Sequence, residues 1–444
     1  MGAVVALRAA YHYGNGIGMP ADGVDGIVAP VHKIIELEEI PGRIPADAEF
    51  GKHHQVGPGF FCLFYTLNDL LCIVFKITDV VVLLCQGYFH DANLRLLLQH
   101  SLHPIVCTGM NRLIIIAMAA ATLGSCRNKN IPDVSGIKVA VPVGRFDRDF
   151  FAADTLHTEQ SMMAVQQKYP YFFTDYIQSI VFADVADTSL SVAAVINQYK
   201  RNVRPLYDSI AARFPKTTGL QEELEQGFRF VKYYYPAYKI PKVVTYAGLI
   251  GDPSVALTRD AMAIGLQMYL GKNFSAYNTM EAIDKFPQYI SRRFEPPYIA
   301  VNCFQNIALD IYPDKTQGLS LVDQMIEKGK QWYLTDKLLP TTPDSLKTGF
   351  TQSQLNWAIA NEGLVWNFIL QSNDLYSTEP TIVQRYIGES PKTDGMPDAS
   401  PGNIGQWVGL QIVKTYAAKS GASLQQVLQA DDKKIFEEAK YKPK

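Results

Sequence analysis

Lys239-Ile-Pro-Lys-Val-Val-Thr-Tyr-Ala-Gly-Leu249 is the stretch that decides the fold class. Its β-branched and aromatic residues favour an extended strand. A second extended stretch is predicted at 261–270, and Gly251-Asp252-Pro253-Ser254 between the two has the composition of a turn. The sequence therefore predicts a small sheet within a single globular domain that is otherwise helical, which is the α+β class.

Helical patterns flank this sheet on both sides. Residues 137–143 alternate as a short edge strand, where a proline is tolerated. The stretch that follows offers an apolar face for burial, made of Phe150, Phe151, Leu156, Met162, Met163 and Val165. The predicted helices lie at about 147–168, 188–200, 203–214, 219–235, 287–295, 297–311, 319–335, 351–372, 404–420 and 431–439.

A targeting signal lies upstream, in Met110-Asn-Arg-Leu-Ile-Ile-Ile-Ala-Met-Ala-Ala-Ala-Thr-Leu-Gly-Ser-Cys126. One basic residue is followed by an apolar run at 113–123, which is shorter than the ~20 residues of a membrane span. This order is typical of a signal peptide. The Leu-Gly-Ser-Cys ending is similar to the lipobox of bacterial lipoproteins, in which the cysteine is acylated and becomes the first mature residue. The alternative is a buried helix that ends by chance in a cysteine.

Residues 1–109 have a different character from the rest of the chain. They hold four of the six cysteines and seven of the eight histidines, which leaves Cys303 and His157 beyond Cys126. A signal peptide works only near a start, so we predict that translation begins at Met110 and that 1–109 is a mis-assigned upstream extension of low order. The alternative is a genuine N-terminal domain followed by a membrane helix. The apolar stretch 60–85 is itself only a weak membrane-helix candidate, because four polar or charged residues interrupt it.

The net charge of the chain does not favour nucleic acid as a partner. A formal net charge of −2 gives no basic surface for nucleic acid. The predicted organisation is a signal peptide at 110–125, a tether at 126–135 that begins with Arg127-Asn128-Lys129-Asn130, and a folded domain at 136–444.

Motifs along 110–444 carry a family resemblance. They are Arg145-Phe-Asp147, Lys168-Tyr-Pro-Tyr-Phe-Phe-Thr-Asp-Tyr-Ile-Gln-Ser-Ile180, Met268-Tyr-Leu-Gly-Lys272, Phe286-Pro-Gln-Tyr-Ile290, Thr348-Gly-Phe-Thr-Gln-Ser-Gln-Leu-Asn-Trp357, Asn361-Glu-Gly-Leu-Val-Trp-Asn-Phe-Ile369, Leu375-Tyr-Ser-Thr378, Ser400-Pro-Gly-Asn-Ile-Gly-Gln-Trp407 and Ile435-Phe-Glu-Glu-Ala-Lys-Tyr-Lys-Pro-Lys444. In combination they resemble the gliding motility lipoprotein GldB family. The resemblance implies a periplasm-facing protein held in a membrane by lipid on Cys126, with protein partners in the gliding or secretion apparatus. Which membrane holds it stays open.

The order of strands and helices also resembles zinc metallopeptidases of the gluzincin type. Those enzymes carry His-Glu-x-x-His on a helix and take a third ligand from a later glutamate. Glu362 would be that glutamate, but the helix at 298–311 contains no histidine, and His157 alone cannot build a two-histidine site. We therefore expect no metal, no cofactor and no enzyme activity. Glu362 is expected to be a surface or hydrogen-bonded carboxylate and, if buried, to pair with Arg385 or Lys414.

Several other residues are candidates for a catalytic, anion-binding or contact site. His157 is the one imidazole base available for a nucleophile, and Cys303 between apolar neighbours is expected to be a small buried hydrophobe. Ser400-Pro401-Gly402 is either an anion site at a helix start or a plain turn. Tyr233, Tyr234 and Tyr235 are consecutive, so they cannot share one helix face, and they are candidates for a groove or contact surface. Core packing is the alternative.

Two functions follow from the sequence. The first is a non-catalytic assembly or interaction factor of the gliding or secretion machinery. The second is a peptide-binding domain derived from an inactive zinc metallopeptidase. An active enzyme ranks third.

Overall fold

The computed structural model of the chain describes residues 131–183 and 189–443, and the backbone of two strands further upstream. The two upstream strands belong to one compact unit and the residues from 131 onward to another. The predicted signal peptide, Cys126 and most of the 1–109 extension lie outside the described residues. Among the helices that are described, none is long and apolar enough to cross a membrane.

The upstream unit contains a pair of antiparallel strands. Strand β1 (Ile73–Ile77) pairs with β2 (Val80–Leu84), and Ile77 lies opposite Val80. Both strands fall within the apolar stretch 60–85. These two segments are therefore extended, which contradicts a membrane helix through residues 73–84.

A mixed sheet lies in the second unit. Its strands are β3 (Val143–Arg145), β4 (Lys242–Tyr246), β5 (Val255–Leu257) and β6 (Ala261–Gly265), in the order β3-β4-β6-β5. Strand β4 is parallel to both neighbours, while β5 is antiparallel to β6. Both β4 and β6 are almost wholly buried, because strands flanked on both sides and covered by helices expose neither face.

Helices precede and follow the sheet strands. Before β4 come α1 (Phe146–Ala152), α2 (Thr158–Lys168), α3 (Phe173–Tyr176), a π-helical turn (Ile177–Val181), α4 (Val192–Arg213) and α5 (Thr218–Tyr234). After β6 come 3-10 turns at Leu266–Met268 and Ser275–Asn278, then α6 (Met280–Lys285), α7 (Gln288–Ser291), α8 (Tyr298–Ile311), α9 (Leu321–Leu338), α10 (Asp344–Thr348), α11 (Gln352–Ala360), α12 (Glu362–Gln371), α13 (Pro380–Ile387), α14 (Ile404–Ser420), α15 (Leu424–Gln429) and α16 (Asp432–Ala439).

The predicted α+β class, mainly helical with a small sheet, is confirmed. The strands predicted at 239–249 and 261–270 are present as β4 and β6, and the turn between them includes Gly251, whose φ of +107° suits glycine. Strand β3 is an edge strand, but it starts at Val143 and not at residue 137. At the end of the predicted tether Val134 is buried in the core, so the chain packs against the domain before residue 136.

Several helical predictions were wrong in their boundaries. The helix expected at 351–372 is two helices, α11 and α12, with Asn361 between them, and the helix expected at 287–295 is the single turn α7. The helix expected at 147–168 is interrupted between α1 and α2, and Leu156 in the interruption is 88% exposed. Met163 is 56% exposed, because it lies on the solvent face of α2. The break expected near 200–203 is absent: α4 continues through Pro205, with Val195, Ile196, Tyr199, Val203 and Ile210 buried along one stripe. Burial of that stripe outweighs the proline.

The two longest helices after the sheet contact each other through their backbones. Helix α9 crosses α14 at two glycines, Gly329 and Gly409. A Cβ atom at Gly329 would lie 2.7 Å from the main-chain nitrogen of Leu410 and closer still to the carbonyl of Gly409. This crossing fixes the position of the first turn of α14, which faces the cleft described next.

Candidate functional site

Helix α8 carries an apolar face and a polar face. Ile299, Val301, Cys303, Phe304 and Ile307 are buried, and Cys303 and Phe304 are 0% exposed. On the opposite side Asn302, Gln305 and Asn306 are half-buried. Residues three and four apart are neighbours on a helix surface, so these three carboxamides form one short row.

This carboxamide row forms one wall of a cleft of about 490 Å³. The other walls come from the first residues of β5, the segment 284–290, the α10–α11 turn and the start of α14. We call it the α8 cleft. Its lining includes Ser254, Val255, Tyr269, Phe286, Tyr289, Arg293, Tyr298, Asn302, Gln305, Asn306, Trp332, Gly349, Gln384, Glu389, Asn403 and Gln406.

Hydrogen bonds orient the carboxamides. Asn302 Nδ2 donates to the hydroxyl of Tyr269 at 2.8 Å. Gln305 Nε2 donates to the main-chain oxygen of Lys347 at 3.1 Å, and Asn306 Nδ2 donates to the main-chain oxygen of Asn302 at 2.9 Å. Each amide therefore has one donor group engaged by the protein, which leaves further donor and acceptor capacity on a side chain that lines the cleft.

Charges in the cleft lining balance. Asp284 and Lys285 lie at one side, and Arg293 and Glu389 form a two-point ion pair, with both nitrogen–oxygen distances at 3.1 Å. Two acidic and two basic side chains leave the lining without net charge. The α8 cleft therefore suits a polar, uncharged ligand better than an ion.

The described residues that line the α8 cleft include no histidine and no cysteine. The thiol of Cys303 faces away into the core, where burial raises its pKa and keeps it protonated. Burial also raises the pKa of Tyr289 and of Tyr298, so their hydroxyls stay protonated at neutral pH. Within the described ranges, no group of three or more His, Cys, Asp or Glu side chains is placed to hold a metal ion.

Glu362 lies elsewhere. It begins α12, is half-buried, and lines a separate cavity of about 180 Å³ with Asp336 and Lys414. Its Oε1 accepts a 2.6 Å hydrogen bond from the hydroxyl of Tyr441. The hydrogen-bonded carboxylate was expected, but its expected partners were wrong: Lys414 pairs with Asp336 at 3.4 Å and Arg385 with Asp374 at 3.5 Å. Glu362 is not among the residues that line the α8 cleft.

The three consecutive tyrosines point in different directions. Tyr233 is 46% exposed, and its ring lies 4.9 Å from that of Tyr234 at nearly a right angle. Tyr235 lines a third cavity, of about 400 Å³, together with Glu327, Lys330 and Asp432. None of the three tyrosines lines the α8 cleft.

A buried ion cluster forms one side of that third cavity. Lys330 Nζ lies 2.7 Å from Glu327 Oε1 and 2.6 Å from Asp432 Oδ1, and it donates to the main-chain oxygen of Ala430 at 2.8 Å. The hydroxyl of Tyr312 donates to Glu327 at 2.9 Å. Burial and the nearby Glu327 carboxylate raise the pKa of Asp432 to about 7. Lys330 thus ties the start of α16 to α9.

The remaining sequence candidates are also placed. His157 pairs with Asp154 at 2.8 Å on the surface, where its side chain is 71% exposed. Ser400 is fully buried, and its hydroxyl accepts a hydrogen bond from the backbone of Thr393. Cys303 is a buried hydrophobe, as expected.

The carboxamide row is what the sequence reasoning missed. The helix at 298–311 contains no histidine, but it carries asparagines at two positions one turn apart, Asn302 and Asn306. An i, i+4 pair of amides on the polar face of an otherwise apolar helix was the signal that could have found it. No comparable local pattern marks Tyr269, Arg293 and Gln406. They lie far apart in the sequence and meet only in the folded chain.

A family model described as Gliding motility protein GldB matches residues 127–443. The chain belongs to the GldB family. The matched region contains every residue of the α8 cleft, and the resemblance noted from the sequence motifs is confirmed. Searches of the curated proteins and of the solved structures each found no match.

Proposed function

We propose that this chain is a lipid-anchored, periplasm-facing component of the gliding machinery that acts by binding a protein partner and not by catalysis. The observation that carries the proposal is the α8 cleft, which presents a row of carboxamides at a site with balanced charge. Membership of the GldB family supports a role in gliding motility. The motif ending at Cys126 supports attachment by lipid.

The composition of the cleft supports a binding role. The carboxamides of Asn302, Gln305 and Asn306 donate and accept hydrogen bonds, but amides neither titrate near neutral pH nor act as strong nucleophiles. Asn302 and Asn306 are four residues apart on α8, which is the spacing of the two histidines in the His-Glu-x-x-His motif. This spacing favours the second candidate as the origin of the site: a peptide-binding cleft derived from an inactive zinc metallopeptidase.

Cell fractionation tests the anchor. Cys126→Ser removes the acylated thiol and should move the protein from the membrane to the soluble fraction, since lipid chains supply the attachment. Cys303→Ala removes the buried cysteine and serves as the control, which should stay with the membrane. A Cys126→Ser protein that stays in the membrane fraction contradicts the anchor.

Co-purification tests the binding role. Wild-type protein extracted gently with its anchor intact should bring partner proteins with it. Asn306→Arg places a long charged side chain in the α8 cleft and should remove the partners and gliding together. Asn202→Arg makes the same change at an exposed position of α4 and should remove neither. Recovery of the wild-type chain alone would contradict the assembly role.

A further inference from the structure

The cavity that contains Glu362 carries an unbalanced charge. We call it the Glu362 cavity. Its lining holds three acidic side chains against two basic ones, and these are Asp336, Asp344 and Glu362 against Lys347 and Lys414. The lining therefore has one negative charge in excess, whereas the charges that line the α8 cleft balance.

The excess charge falls on Glu362. Lys347 Nζ lies 2.8 Å from Asp344 Oδ1 and also pairs with Asp336, and Lys414 Nζ lies 3.4 Å from Asp336 Oδ2. The two lysines thus serve the two aspartates. Among the described residues no cationic side chain pairs with Glu362, and its Oε1 is held by the neutral hydroxyl of Tyr441. The start of α12 adds only roughly half an elementary charge through the helix dipole, which leaves the carboxylate short of a full partner.

The other walls of the Glu362 cavity are aromatic and aliphatic. They include Trp332, Trp407, Leu355, Ile359 and Leu410. Trp407 is 3% exposed whereas Ile359 is 58% exposed, so the cavity reaches from the core to the surface. Indole rings attract an ammonium group more strongly than other aromatic rings do, and aliphatic side chains pack against methylene groups. This lining suits an organic cation with an apolar stem better than a metal ion, which prefers a shell of oxygen, nitrogen or sulfur ligands.

We propose that the Glu362 cavity binds the protonated side chain of a lysine of the partner protein. The existence of that partner rests on the proposed function, but the site is separate from the carboxamide row. The aliphatic stem of the lysine lies along the apolar walls, and its ammonium group donates to the Glu362 carboxylate. Lysine is favoured over arginine because Tyr441 already engages Oε1 of Glu362, so the two-point fork of a guanidinium would compete with that hydroxyl.

The Glu362 cavity and the α8 cleft share part of a wall. Trp332 and Thr348 belong to the lining of both. A single partner therefore reaches both sites at once, and the connection between its two binding segments raises the affinity of each. The proposal accordingly places the lysine close in space to the part of the partner that fills the α8 cleft.

The test uses the full chain labelled with 5-fluorotryptophan, whose four tryptophans give four fluorine NMR signals. The probe is N-acetyl-lysine N-methylamide, and N-acetyl-norleucine N-methylamide is the neutral control with the same stem. The lysine probe should shift the signals of Trp332 and Trp407 saturably, and it should leave in place the signal of Trp357, which does not line the cavity. The norleucine probe should bind about fivefold more weakly or worse, because it lacks the charge. The corresponding arginine probe should also bind more weakly than the lysine probe.

A matched pair of variants tests the carboxylate. Glu362→Gln removes the charge but keeps an acceptor for Tyr441, and it should weaken the lysine probe about fivefold or more. Glu379→Gln removes the same charge from an exposed position at the start of α13, where the side chain makes no capping hydrogen bond, and it should leave the affinity unchanged. Circular dichroism establishes that both variants fold. If Glu362→Gln does not fold, the comparison of the lysine and norleucine probes on the wild type decides.

The outcomes separate the two proposals. Equal affinity for the lysine and norleucine probes would overturn the lysine site, as would a folded Glu362→Gln variant that binds the lysine probe as tightly as the wild type. In the co-purification experiment Glu362→Gln should recover less partner than Glu379→Gln. Partner that is lost from Asn306→Arg but fully retained by Glu362→Gln would uphold the proposed function and overturn the lysine site. A lysine probe that binds as expected, with a wild-type chain that brings no partner, would uphold the site and contradict the proposed function.

Discussion

The close crossing of α9 and α14 predicts a large effect from a single methyl group. Gly329→Ala adds a Cβ that would lie 2.7 Å from Leu410 N, whereas ordinary contacts of a Cβ begin near 3.4 Å. The atoms on the far side are backbone, so they cannot move aside by a rotamer change, and the helices must separate by roughly 1 Å or strain. Overpacking of a dense core costs about 1–3 kcal/mol, and the rigid backbone on both sides places this case near about 3 kcal/mol.

Urea unfolding followed by circular dichroism measures this cost. Gly219→Ala is the matched control, because Gly219 lies in α5 with nothing within 4 Å of its added Cβ. That control should be neutral or stabilising by up to about 1 kcal/mol. The separation of the helices should also displace Asn403 and Gln406, which line the α8 cleft, so the recovery of partner proteins should fall in Gly329→Ala. A destabilisation below about 1 kcal/mol would refute the backbone contact.

Three further predictions concern the buried polar contacts. Lys330→Met leaves the carboxylates of Glu327 and Asp432 without their cation, so the free energy of unfolding at pH 8 should fall by about 3 kcal/mol; a loss below 1 kcal/mol in urea would contradict the cluster. The pKa of Asp432, raised to about 7, means that the folded state holds a proton more tightly than the unfolded state. The stabilisation from this bound proton is therefore fully present below about pH 4 and is lost as the pH rises through about 7. Because Asp432 is partly exposed, the free energy of unfolding of the wild type should fall by only roughly 1–2 kcal/mol over this range. Asp432→Asn should remove that slope in melting temperature between pH 5 and pH 8, and an unchanged slope would assign it to another group. Tyr441→Phe deletes the hydroxyl that donates to Glu362 and should lower the free energy of unfolding by about 1–2 kcal/mol. An equal loss of stability in a protein that already carries Glu362→Gln would show that the two residues are not coupled.

Local patterns were enough to predict the class of the fold. The β-branched run that became β4 and the apolar periodicity of α8, α9 and α14 each specify an element without reference to the rest of the chain. Short elements were missed where tertiary contacts outweigh propensity. Strand β5 has only three residues, and its extended conformation depends on pairing with β6.

The candidate site was harder to predict than the fold. Its residues come from β5, α8, the segment 284–290 and the start of α14, which lie far apart in the sequence. Glu362 was expected to belong to it because of its order in the chain, yet Glu362 lines another cavity and accepts a hydrogen bond from Tyr441. The order of elements along the chain does not determine which face of a helix lines a cleft. For this reason the sequence could not show that Glu362 lies outside the α8 cleft.

Partner binding at the α8 cleft is the central claim, and co-purification with the Asn306→Arg variant tests it most directly. Wild-type protein and Asn202→Arg should bring partner proteins with them, whereas Asn306→Arg, which alters the cleft lining, should not. Equal recovery of partners by Asn306→Arg and by the wild type would contradict the claim.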